Sequence, residues 1–297
     1  MRHPRQGRRA VRAAASGTHR GRQSPSADEI IEARGAGDVL GPPSIGASTV
    51  AWYDESLGEA LERAASLVPL VEIFSAHNHD LLGSANLRAA LACGLRLTVH
   101  APWAGLDLDD PIEERRHATL AVHDRQLERA AAVGAEVYVV HPDGGAPRDA
   151  CWSAEGARAA LSRSFADLVV LQERHGVRVA IENLPDQNKS AFATPGLDLG
   201  GLGHALDAGH AALAGSLQAF LRDAGSLRHV HLHDNHGPQD ACDRHLPLGR
   251  GIVDVPAVVG LARARNVAVV LEMVDEAGVL ESLDYLLRQE SARRRSR

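Results

Sequence analysis

Residues 95–100 read Leu-Arg-Leu-Thr-Val-His, residues 136–141 Glu-Val-Tyr-Val-Val-His and residues 177–182 Val-Arg-Val-Ala-Ile-Glu. Each is a short, mostly apolar run that stops on a metal-type ligand. Such runs suit strands buried on both faces of a parallel sheet. The form recurs in His204-Ala205-Leu206-Asp207, His229-Val230-His231-Leu232-His233 and Val269-Val270-Leu271-Glu272. In an α/β barrel the C-terminal strand ends converge on one mouth, and chemistry sits there.

Working outward, strands are expected at 44–50, 70–74, 95–100, 136–141, 177–182, 203–207, 229–233 and 267–272. The sixth has the least β propensity, because it opens Gly-His-Ala-Leu. Helical patterns fall between them, at 55–66, 86–93, 110–134, 153–176, 216–224, 255–266 and 279–289. Asp110-Pro111 and Ser153 read as helix starts, and Gly134 and Gly176 as stops. Gly and Pro break the stretch 188–201, so the helix after the fifth strand is expected to be stunted or missing. Eight strands alternating with helices predict a single-domain (β/α)8 TIM barrel over 44–290. A doubly wound sheet competes less well, because no Gly-rich phosphate turn follows the first strand.

The composition is that of a globular protein, with 44% hydrophobic and 24% charged residues. Aromatics are only 3%, so the core must be built from Ala, Val, Leu and Ile. The net charge of -6 argues against a generic nucleic-acid coat. Cys93, Cys151 and Cys242 show no metal spacing and read as reduced thiols, which suggests a cytoplasmic location. No apolar run reaches the ~20 residues of a membrane helix. Residues 1–43 are Arg-rich and lack hydrophobic period, so a disordered basic leader is expected. A short disordered tail is expected at 291–297.

The candidate metal ligands are His100, His141, Glu182, Asp207, His210, His231, Asp243, His245 and Glu272. A buried carboxylate costs several kcal/mol unless paired or bound to a cation, and barrel interiors are otherwise filled by Val, Ile and Leu. Glu182, Asp207 and Glu272 have no strand lysine near them, so a shared divalent cation is the simplest compensation. Imidazole plus carboxylate without thiolate suits Zn²⁺, Mn²⁺, Co²⁺ or Mg²⁺, and the nitrogen-rich set favours Zn²⁺ or Mn²⁺. Period two points His229, His231 and His233 to one face, with His229 deepest, as a core residue. Asp243 and His245 share a side if their loop is extended. Trp103, His233 and Arg250 are the candidate substrate contacts. His77 and His79 border the mouth, as substrate contacts or as plain loop residues. His117 and His123 read as solvated helix surface. Lys189 is the only lysine and lies in a loop, which disfavours a Schiff-base aldolase.

The segments SIGASTV, TVHAPW, VVHPDGG, AIENLPDQ, LDAGHA, HLHDNHG, DRHLPLGRG and LEM together resemble the xylose isomerase-like TIM barrels. That superfamily joins sugar (phosphate) isomerases and epimerases to the endonuclease IV type of abasic-site nuclease. The resemblance implies one cation held by Glu182, Asp207, His231 and Glu272. The nuclease branch implies two more, at His100, His141 and Glu182 and at His210, Asp243 and His245, so one to three ions per chain are expected. Arg250 departs from the pattern, standing where a Glu is frequent.

The wording of HLHDNHG and DRHLPLGRG leans toward the sugar branch. The expectation is a metal-dependent isomerase or epimerase of a sugar or sugar phosphate, with Glu182 and Glu272 as acid and base. The alternative is a trinuclear zinc phosphodiesterase acting on abasic DNA. A metal-dependent binding or structural module is the non-enzymatic reading. No membrane partner is expected, and a homo-oligomer is left open.

Overall fold

The computed structural model describes residues 43–145, 152–185, 190–240 and 242–295. Eight parallel strands follow one another around a closed barrel: β1 (Ile45–Ser48), β2 (Leu70–Phe74), β3 (Arg96–His100), β4 (Val137–Val140), β5 (Arg178–Glu182), β6 (Gly203–Asp207), β7 (Leu227–Leu232) and β8 (Val269–Leu271). The ring closes where Ile45 pairs with Val269. The expected TIM barrel is therefore the fold.

Helices α1 (Leu57–Ala65), α2 (Ser84–Ala92), α3 (Glu113–Ala132), α4 (Ala154–His175), α5 (Ala208–Leu213), α6 (Leu217–Arg222), α7 (Val255–Arg265) and α8 (Glu276–Arg295) cover the outside. Local chemistry sets their ends. Ser56 and Glu59 form a reciprocal capping box on α1. Ser153 caps α4, and Gly176 ends it in the left-handed conformation, φ 70°. Asp110 does not cap a helix; its Oδ1 accepts from Ile112 N, and α3 begins at Glu113. No helix separates β5 from β6 among the described residues, as the Gly and Pro content of that stretch predicts.

The main core lies between sheet and helices, with Leu61, Ile73, Leu127, Phe165, Leu168, Val230 and Val258 all buried in it. A smaller cluster of Val137, Val139, Ala180 and Ala205 forms one apolar side of the barrel interior. Glu72, Thr98, His229 and His231 are buried in the same interior, a polar content that is unusual for a barrel.

Two histidine expectations are corrected. His123 is buried rather than solvated: α3 turns it onto β4, where Nδ1 meets Tyr138 Oη at 3.0 Å. His117 is exposed, as read. His79 is a buried strut, with Nδ1 3.0 Å from Thr49 Oγ1 and Nε2 3.1 Å from Glu55 O. Helix α8 runs to Arg295 among the described residues. The leader, Cys151 and Lys189 lie outside the described residues, while Cys93 and Cys242 are free thiols. No helix among the described residues is long and apolar enough to cross a membrane.

Candidate metal centre

All nine expected ligands gather at the barrel mouth. Glu182 ends β5 at its centre. Its Oε2 lies 3.2 Å from both His100 Nε2 and His141 Nε2, and its Oε1 lies 3.3 Å from His210 Nδ1 and 3.4 Å from His231 Nδ1. Each oxygen thus faces its own pair of imidazoles. Asp207 ends β6 and caps α5, with Oδ1 accepting from His210 N at 2.6 Å. The cap fixes the carboxylate, and the spacing of three residues brings His210 back over it. Glu272 follows β8, with Oε2 3.7 Å from His231 Nδ1. One donor atom from each of Glu182, Asp207, His231 and Glu272 falls within 4.8 Å of the others.

A second group lies farther out. Asp243 Oδ2 is 2.9 Å from His210 Nε2 and 3.0 Å from His245 Nε2. The loop is kinked here rather than extended, since His245 has φ 46°. The turn, rather than strand alternation, brings the two side chains together. His233 is fully buried: Nε2 lies 3.1 Å from the Asp207 carboxylate, and the ring stacks on His245 with centroids 3.9 Å apart. Gly209 makes room for it, because a Cβ there would collide with the His233 ring.

Histidines interleave with the carboxylates, so each compensates the other's burial. Burial alone would raise the Glu182 carboxyl, but His231, His141 and His100 outweigh it and hold the group well below the usual range. Burial would lower His231, yet Glu72, Glu182 and Glu272 bring it well above an ordinary imidazole. His210 is likewise raised well above the ordinary value, with Asp207, Asp243 and Glu182 overcoming burial. His245 is depressed by burial but lifted further by Asp243 and Glu272, to about 9.

Of the other expected residues, Trp103 is 41% exposed and stacks on His141, centroids 5.7 Å apart and planes 24° from parallel. Arg250 pairs with Glu281 on α8, Nε to Oε1 at 2.7 Å. His77 stands exposed beside Tyr53, centroids 5.7 Å apart.

Sequence reading missed four polar residues that hold this centre together. Glu72, in mid-β2, contacts His229 and His231. Asn183 accepts from Asp207 N at 2.9 Å and donates to Asp207 O at 2.9 Å. Asn235 donates to Asp243 Oδ1 at 2.8 Å. Asp234 accepts from the backbone N–H groups of Gly249, Gly251 and Val253 at 2.8–2.9 Å, binding the loop down over the mouth. A carboxylate inside the apolar run Leu-Val-Glu-Ile-Phe is the signal that could have found Glu72.

The family model for xylose isomerase-like TIM barrels matches residues 71–289. An uncharacterised protein of Methanocaldococcus jannaschii, MJ1614, is 32% identical over 205 residues, covering 68% of this chain and 79% of that one. Among solved structures, a D-tagatose 3-epimerase-like protein superposes with a TM-score of 0.75 at 23% identity, covering 86% of this chain and 100% of that one. The E. coli 3-keto-D-glucoside 4-epimerase YcjR gives 0.62 at 25%, over 83% and 99%. The TTHB071 protein of Thermus thermophilus, soaked with ZnCl2, gives 0.61 at 27%, over 83% and 98%. By the family match and the relative together, the chain belongs to the xylose isomerase-like TIM barrels.

Proposed function

We propose that the chain is a divalent-metal-dependent isomerase or epimerase of a sugar or sugar phosphate. The observation that carries this reading is the buried quartet of Glu182, Asp207, His231 and Glu272 at the mouth of a barrel of this family. The quartet fits a cation on its own evidence: Glu182 Oε1 and His231 Nδ1 are buried inside it without a hydrogen-bond partner. Zn²⁺ or Mn²⁺ suits these donors best. Likeness to YcjR, a 3-keto-D-glucoside 4-epimerase, supports a carbohydrate substrate.

When bound, the cation supplies Lewis-acid polarisation of a substrate carbonyl and offsets the negative charge of the enediolate. The protein's own groups do the rest. Glu182 and Glu272 project from strands well apart around the ring and serve as base and acid, one taking the proton beside the carbonyl and the other returning it. Trp103 forms an apolar wall beside His141, and His233 and Arg250 border the substrate. The buried carboxylates work away from bulk water, where fixed charges act most strongly. Cys93 and Cys242 as free thiols accord with a cytoplasmic protein.

The test is deuterium exchange. Zinc- or manganese-loaded protein is incubated in D₂O with D-ketohexoses and their phosphates. Uptake at the carbon beside the carbonyl, with conversion to an isomer or epimer, is expected. No uptake with any of them would overturn the reading.

A second reading is a phosphodiester hydrolase acting on abasic DNA. Glu182 favours it, because its Oε2 faces His100 and His141 while its Oε1 faces His231, so the two oxygens could serve separate cations. Cleavage of an abasic duplex, without deuterium uptake into any sugar, would establish it over the first.

A further inference from the structure

Three mouth histidines are steered by main-chain carbonyls. His100, His210 and His245 place Nδ1 on the carbonyl oxygens of Ala101, Asn183 and Glu272, at 2.8, 3.1 and 2.8 Å. Their Nε2 atoms are left aimed at site carboxylates. His231 is reversed. Its Nδ1 faces Glu182, Asp207 and Glu272, and its Nε2 lies 2.8 Å from Glu72 Oε1.

Glu72 lies below the mouth, fully buried in mid-strand. Its Oε2 is 2.8 Å from His229 Nε2 and accepts from Thr98 Oγ1 at 3.0 Å. The Glu72 and His231 side chains are both without solvent exposure. Packing alone would place Val, Ile or Leu here, and a buried carboxylate is costly without compensation. A ligating imidazole nearly always has its other nitrogen against an acceptor, which fixes the ring's orientation, and a carboxylate is a strong one.

We propose that Glu72 is a positioning residue of the metal centre, its buried carboxylate 2.8 Å from His231 Nε2 fixing the ring by ion-pair contact and thereby presenting Nδ1 to the quartet cation. Thr98 holds Glu72 from the neighbouring strand. His229 shares the carboxylate without facing the quartet, so it balances charge but directs no ligand. The proposal rests on the reading that the quartet binds a cation, and the test separates the two.

The full-length protein, labelled with ¹⁵N-histidine, is loaded with ¹¹³Cd²⁺ and the cadmium–nitrogen couplings are read. The expected result is a cadmium coupled to Nδ1 of His231, with His100 and His245 coupled through Nε2. Coupling through Nε2 of His231 would overturn the proposal while leaving the cation site standing. Failure of the wild type to bind any cadmium would overturn the cation site and the proposal with it. In chelator competition, Glu72→Gln should weaken the His231-coupled site about tenfold to a hundredfold, whereas His229→Gln should leave it within about threefold. Equal losses in the two variants would mark a merely structural role and overturn the proposal. If Glu72→Gln does not fold, the wild-type couplings decide.

Discussion

Trp103 lies over the ring of His141, centroids 5.7 Å apart and planes 24° from parallel. The indole is therefore fixed against a candidate ligand while much of it stays open to solvent. Trp103→Ala should raise KM about tenfold, a loss of ~1.4 kcal/mol of binding, and leave kcat within about threefold. Bound metal per chain should not change. Loss of metal from the variant would contradict the wall role and make the indole a support for His141.

Glu182→Gln and Glu272→Gln should each abolish turnover with the fold intact, as read by circular dichroism. Each residue is assigned to both the cation and the proton transfer, so either change breaks two functions. Activity within about tenfold of wild type, a barrier change of only ~1.4 kcal/mol, would contradict the assignment.

Chelated and metal-loaded protein should respond to pH in opposite senses. In the metal-free chain His210 and His231 sit well above the ordinary imidazole value and His245 reaches about 9. A raised folded-state pKa gives stability that is complete below the unfolded value, about 6.5, and is lost as pH rises through the folded value. Chelated protein should therefore lose melting temperature between about pH 6.5 and pH 9. Metal must displace those same protons, so its affinity should climb across that window. A chelated protein that gains stability from pH 6.5 to 9 would contradict the paired histidines.

His123 should make the protein acid-sensitive. Burial against Tyr138 pulls its pKa from 6.5 to about 4, so the folded state favours the neutral ring. The unfolded chain then takes up the extra proton, and stability falls as pH drops from about 6.5 toward 4. At pH 4.5 this amounts to roughly 2–3 kcal/mol. In urea titrations at pH 7 and 4.5, His123→Gln should lose less stability than wild type by about that amount. Identical losses would contradict a neutral buried His123.

The barrel was legible because its strands are short apolar runs punctuated by caps and stops, as at Ser153 and Gly176. The mouth was legible because six runs end in His, Asp or Glu, and a closed barrel brings strand ends together. Glu72 escaped because attention to strand ends passes over a carboxylate in mid-strand. His123 was misread because α3 carries charge on many sides, and only the position of Tyr138 on β4 shows which face is covered. The meeting of Asp243 with His245 depends on a left-handed residue, which a non-glycine sequence does not announce. Asn183, Asp234 and Asn235 act through main-chain groups, and those contacts exist only once the loops are folded.

The proposed metal centre offers more ligands than one cation needs. The quartet of Glu182, Asp207, His231 and Glu272 would satisfy one ion, leaving His100, His141, His210, Asp243 and His245 around it. Elemental analysis of protein purified without chelator measures this directly, repeated on His210→Ala and Asp243→Ala. Two to three equivalents of zinc or manganese per chain are expected, with a drop of about one in each variant. A wild-type ratio near one, unchanged in both variants, would contradict the multinuclear centre, and a ratio near zero would contradict a metal centre of any kind.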